Sequence, residues 1–162
     1  MLQGLYFRGK DDGGWIALGK IGKMAKTPEH PSKKTVLVVD DDAAILKSVT
    51  GYLDAEYTVL IAANGKEALQ RSQDFKSDIH LLLSDFQMPG MSGVELATEI
   101  TIHRPEIKVL LMSGFTGGML VLNEGWHFLA KPFVPSQLRA LVKGLVFPNA
   151  GSKFTARVGG EG

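Results

Sequence analysis

The sequence contains no cysteine, which removes disulfide bonds, thiol nucleophiles and thiolate metal sites from consideration. Long hydrophobic runs are missing as well. The longest are short, such as Val109-Leu110-Leu111-Met112, well under the roughly 18 residues that a membrane helix needs. Near the N-terminus the best apolar stretch is Trp15-Ile16-Ala17-Leu18, too short for the core of a signal peptide. What remains is 44% apolar and 22% charged over 162 residues, the balance of one ordinary soluble domain. The expectation is a cytoplasmic protein that does not engage a membrane.

Charge of one sign is scarce overall but not locally. The net charge is +1, yet residues 1–34 hold seven Lys/Arg against three Asp/Glu. Residues 35–147 hold nine against thirteen. An acidic centre with basic ends lacks the basic patch of a nucleic-acid binder, so no nucleic-acid partner is expected.

Residues 1–32 are rich in Gly and Lys and show no sustained period, which predicts a flexible tail. The pairs Gly19-Lys20 and Gly22-Lys23 lack the spacing and the Ser/Thr of a phosphate-binding loop. From residue 33 the pattern changes. Thr35-Val36-Leu37-Val38-Val39 is a β-branched apolar run, the mark of a strand covered on both faces. Similar strands are predicted at 57–62, 80–84, 107–112 and 126–130. Helical spacing fills the intervals at 43–52, 65–72 and 92–103, with Ser92 and Glu95 at capping-box spacing. A closing helix runs over 135–147, with Pro near its start and Pro148 after it. Strands alternating with helices predict an α/β fold, a doubly wound five-stranded parallel sheet with right-handed crossovers. The domain spans 33–147, and 148–162 is a second flexible tail.

In such folds chemistry gathers beyond the carboxyl ends of the strands. There stand Asp40-Asp41-Asp42, Asp85 ahead of Phe86-Gln87-Met88-Pro89-Gly90, Ser113-Gly114, and Lys131-Pro132-Phe133. Each alone reads more simply as a cap, a turn or a solvated end. Together they form a set suited to phosphoryl chemistry. Crowded carboxylates favour a hard divalent cation, a carboxylate can attack phosphorus, and a lysine and a hydroxyl can hold phosphoryl oxygens. By contrast His80 and His127, which flank strands, read as structural, and His103 as solvent-facing. Trp126 reads as a packed rim residue ahead of a partner anchor.

The segments VLVVDDD, LLLSDFQMPGMSG, VLLMSGF and FLAKPF, in this order, resemble the receiver domain of two-component response regulators, with wording close to receivers of hybrid sensor kinases. The resemblance covers residues 33 to about 147 and implies a flavodoxin-like strand order. It implies Asp85 as the phosphoacceptor, and Asp40, Asp41, Asp85 and the Gln87 backbone carbonyl as the Mg²⁺ site. Lys131 and Ser113 would bind the phosphoryl group, with a cis bond between Lys131 and Pro132, and Ser113 and Phe128 would form a conformational switch. Phe128 stands where Tyr is frequent in the family and has no hydroxyl to bond. Gln87 and Phe115 occupy positions that tune dephosphorylation. The Ser113–Lys131 interval is about one helical turn shorter than in many receivers, which implies a shortened fourth helix. The implied partners are a sensor histidine kinase or histidine phosphotransfer protein, an output partner the sequence does not name, and a second copy of the chain as a homodimer. The stretch after residue 147 is too short for a DNA-binding or enzymatic output domain, so output is expected through binding or relay. Rival readings are an aspartyl-phosphate phosphatase, disfavoured because residue 87 is Gln and not an acid, and a scaffold that is never phosphorylated.

Overall fold

The computed structural model describes the backbone of residues 5–9 and 15–20, and residues 33–114 and 124–148 in full. The chain divides into two units, Met1–Ser32 and Lys33–Gly162. In the first, where composition predicts a flexible tail, strands β1 (Leu5–Gly9) and β2 (Trp15–Lys20) pair antiparallel, with Phe7 opposite Ala17 and Gly9 opposite Trp15. The physical reason lies in local chemistry that average composition hides. Tyr6 and Phe7 on one side of Asp11-Asp12-Gly13-Gly14, and Trp15 and Ile16 on the other, favour strands around a turn-forming sequence.

The second unit runs β3 (Thr35–Val39), α1 (Ala43–Leu53), β4 (Thr58–Ala62), α2 (Gly65–Asp74), β5 (Leu81–Asp85), α3 (Gly93–His103), β6 (Lys108–Ser113), β7 (Trp126–Ala130) and α4 (Pro135–Val146). The five strands form one parallel sheet in the order β4-β3-β5-β6-β7. The shortened fourth helix, Phe115 and the C-terminal tail beyond residue 148 lie outside the described residues. Among the described residues no helix is long and apolar enough to cross a membrane.

The continuous apolar runs conceal a period of two, because each strand feeds both faces. Val36, Val38, Leu81, Leu83, Leu110 and Met112 face Val49 and Leu53 of α1 and Leu138 and Val142 of α4. Leu37, Val39, Leu82, Val109 and Leu111 face Ala68 of α2 and Leu96, Ala97 and Ile100 of α3. Each such buried side chain contributes roughly 1.5–3 kcal/mol of apolar transfer.

The helices start where the sequence supplies caps. Asp42 accepts from the Ala44 amide at 2.7 Å, and Asn64 from the Glu67 amide at 2.9 Å. Ser92 and Glu95 form the capping box, with Glu95 Oε2 accepting from the Ser92 amide at 2.8 Å. The start of α3 also needs Gly93. A Cβ there would collide with the backbone carbonyl of Asp85, so the helix can pack this close to the end of β5 only with glycine. Gly93→Ala is therefore expected to lower unfolding stability by about 1–3 kcal/mol, the range for overpacking. Urea denaturation checks it, and a loss under about 0.5 kcal/mol would show that the loop gives way freely.

Candidate functional site

The parallel register places all the strand ends on one edge of the sheet. Val39 pairs with Ser84, so Asp40 and Asp85 leave adjacent strands side by side. Ser113 pairs with Ala130 at the end of β6, which brings Lys131 to the same level. The backbone continues this alignment past the strands: the Lys131 amide donates to the Ser113 carbonyl at 2.7 Å, and the Phe86 amide to the Met112 carbonyl at 2.7 Å.

The Lys131 ammonium lies between two carboxylates. Its Nζ donates to Asp40 Oδ2 and to Asp85 Oδ1, each at 2.7 Å. The lysine side chain is 20% exposed, that of Asp40 2% and that of Asp85 12%. The remaining oxygens are held by the backbone. Asp40 Oδ1 accepts from the Asp42 amide at 2.9 Å, and Asp85 Oδ2 from the Gln87 amide at 3.0 Å. In both, the amide two residues on donates to the carboxylate, the geometry of an Asx turn. Strand-end aspartates followed by turns carry that signal in sequence, although nothing in the sequence marks the two amides themselves as site groups.

The electrostatics explain why the lysine is needed. Burial pushes the Asp40 carboxyl above its ordinary pKa, while the bonds from Lys131 and the Asp42 amide work to lower it; the nearby Asp85 charge adds to the rise. Burial works to lower the Lys131 pKa, but the bonds to Asp40 and Asp85 outweigh it, and the ammonium ends above its ordinary value. One cation thus faces two anions, leaving excess negative charge that a further cation would relieve.

The structure brings Asp40, Asp85 and Lys131 into direct contact and adds Gln87 through its amide. Asp41 is exposed, one residue from Asp40. Among the described residues, no three His, Asp or Glu side chains gather closely enough to hold a metal on their own; in the described geometry Lys131 takes the place between Asp40 and Asp85. Ser113 is buried at the end of β6. Phe128 is half-buried on the sheet face that carries Val39, Leu82 and Leu111. The peptide bond between Lys131 and Pro132 is cis, as the resemblance implies.

The domain is thus a doubly wound sheet with an acid–lysine cluster at its carboxyl edge, and comparison with known proteins gives its family. A family model for the response regulator receiver domain matches residues 36–143. The chain therefore belongs to the receiver domain family of two-component systems. It is 32% identical over 126 residues to the sensor kinase CckA of Brucella abortus, covering 75% of this chain and 13% of the kinase. It thus spans a small part of that relative's length. Among solved structures, a CheY-like receiver domain protein from Methanospirillum hungatei matches with a TM-score of 0.64 and 34% identity, covering 71% of this chain and 94% of that one. The receiver domain of the hybrid histidine kinase CckA matches with a TM-score of 0.62 and 32% identity, covering 69% and 98%. The five-stranded flavodoxin-like fold is that of the CheY-type receivers.

Proposed function

We propose that this domain is a phosphoacceptor that takes a phosphoryl group from a phosphohistidine onto Asp85 and passes the change to a partner. The observation that carries the reading is the Lys131 ammonium bonded at once to Asp40 and Asp85. In the transfer, a carboxylate oxygen of Asp85 forms the bond to phosphorus as the nitrogen–phosphorus bond of the donor breaks, and the imidazole leaves with the electron pair. Lys131, whose Nζ lies 2.7 Å from Asp85 Oδ1, would stay with Asp85 and neutralise a phosphoryl oxygen as charge builds there. The Gln87 amide holds the acceptor carboxylate in one orientation, which removes part of the entropic barrier.

The donor set fits Mg²⁺: every candidate ligand is a hard oxygen, from Asp40, Asp41, Asp85 and the Gln87 carbonyl. When bound, the ion would supply further neutralisation of the phosphoryl oxygens. Ser113 is the hydroxyl suited to meet the new group, and Phe128 the aromatic suited to repack behind it, with a coupling of roughly 1–3 kcal/mol. A sensor histidine kinase or a histidine phosphotransfer protein is the matching donor, as the hybrid-kinase relatives suggest.

The test is phosphotransfer. Incubation with a phosphorylated histidine phosphotransfer protein and Mg²⁺ should add one phosphoryl group per chain, removable by hydroxylamine as an acyl phosphate. Chelation of Mg²⁺ should slow the labelling. Catalytic release of phosphate from small esters without a stoichiometric acyl phosphate would instead identify a phosphatase.

A further inference from the structure

At the edge of the sheet away from the acid–lysine cluster, His80 precedes β5 and is half-buried. Two hydrogen-bond donors face its ring. The backbone amide of Thr35, the first residue of β3, lies 3.1 Å from Nδ1, and Lys34 Nζ lies 3.1 Å from Nε2. A neutral imidazole offers one lone pair to such donors, on whichever nitrogen lacks the proton. An imidazolium offers none. Protonation would set the Thr35 amide, on a residue that is 4% exposed, against another N–H.

The ring is held in place by the ladder around it. The His80 amide donates to the Thr35 carbonyl at 2.9 Å, and the Lys108 amide donates to the His80 carbonyl at 3.0 Å. The charged groups that act on the ring are Lys34, from the lead into β3, and Asp78, from the segment before β5, while Lys108 of β6 meets His80 through its backbone amide. The ring already meets two donors, one of them the Lys34 ammonium, so a further positive charge is unwelcome there.

We propose that His80 is a pH-operated latch across the base of the β3–β5 seam, closed while the ring is neutral and released when it takes a second proton. This goes beyond the phosphoacceptor reading and does not depend on it. Burial first, and then the Lys34 charge, holds the His80 pKa below its ordinary value of 6.5, with Asp78 opposing. A lowered folded-state pKa means that the unfolded or opened state binds the proton more readily. The stability from the latch is therefore present above the ordinary value and is lost as the pH falls through the folded one. The strands it joins are those that end in Asp40 and Asp85, so acid would loosen the far ends of the two strands that present the site.

The experiment is an NMR titration of the full chain from about pH 8 to about pH 5, the window in which histidine changes charge. It follows the His80 ring and the Thr35 amide. The ring should titrate below 6.5, the Thr35 amide should shift with the same midpoint, and its exchange protection should fall by up to roughly tenfold per pH unit below the ordinary value. His80→Gln should abolish the shared midpoint and flatten the acid loss of stability. A ring that titrates at or above its ordinary value, or a Thr35 amide that stays still while the ring titrates, would overturn the latch. If His80→Gln does not fold, the titration of the unaltered chain decides alone. Phosphate labelling of Asp85 at neutral pH should be unaffected by the outcome, which separates failure of the latch from failure of the phosphoacceptor reading.

Discussion

Asp85→Asn should remove acyl-phosphate formation completely while leaving the fold intact. The amide matches the carboxylate in shape, and its oxygen can still accept from the Gln87 amide now bonded at 3.0 Å. It has no anionic oxygen with which to attack phosphorus, so the nucleophile is lost and the scaffold kept. Losing one of two crowded carboxylates should also relieve the burden on Asp40, whose pKa is raised by burial and, to a lesser degree, by the Asp85 charge. The unphosphorylated variant is thus expected to be as stable as the parent or slightly more so. Intact-mass spectrometry after incubation with a small acyl phosphate and Mg²⁺ reads the first effect, and thermal melting the second. Full labelling of the variant would move the acceptor elsewhere.

Lys131→Met should have the largest effect on stability in the absence of metal. The substitution retains an apolar stem but leaves two carboxylates, 2% and 12% exposed, facing each other without their shared cation. Breaking a buried pair by removing one partner costs about 3–5 kcal/mol. The deficit should shrink on acidification. Asp40 already has a raised pKa, and without the lysine it should rise further. A group whose folded pKa is raised contributes stability below its unfolded value that is lost as the pH rises through the folded one. Denaturant melts in chelator at neutral and mildly acidic pH test both parts. The double variant with Asp40→Asn should recover a large share of the loss, because the two positions share one interaction. A deficit under about 1 kcal/mol at neutral pH would mean that the pair behaves as a solvated surface bridge.

Much of the sheet could be read in advance because buried parallel strands appear as unbroken apolar runs. Thr35–Val39 and Trp126–Ala130 sit where the pattern put them. The run at 80–84 is displaced by one residue, to Leu81–Asp85, because Asp85 pairs with Met112 and extends the strand into the site. Asp40, Asp85 and Lys131 could be nominated because each stands at or just past the end of a strand, and strand ends converge in this architecture. Their joint geometry could not. One ammonium bridging residues 91 and 46 positions away depends on how the sheet aligns its strands, not on any local pattern. Arg104 carries no local signal for a similar reason. Its guanidinium gathers the carbonyls of Ser72, Phe75 and Ser77 at 2.6–2.9 Å, tying the end of α2 to the end of α3 across 27 to 32 residues. The β1–β2 pair is hidden in sequence because a Gly- and Lys-rich average outweighs two short stretches of strand formers.

The register of β3 against β5 also constrains how this sequence can change over time. Val39 stands opposite Ser84, and the two acids follow at once. A single residue inserted into either strand would carry its carboxylate about 3.3 Å along the strand and turn it to the other face of the sheet. Substitutions within Thr35–Val39 or Leu81–Ser84 that keep an apolar side chain cost at most packing. A change in strand length separates Asp40 from Asp85 outright. Conserved spacing, more than conserved residue type, is the mark these strands should leave among related sequences, with insertions displaced into the connections at the opposite edge.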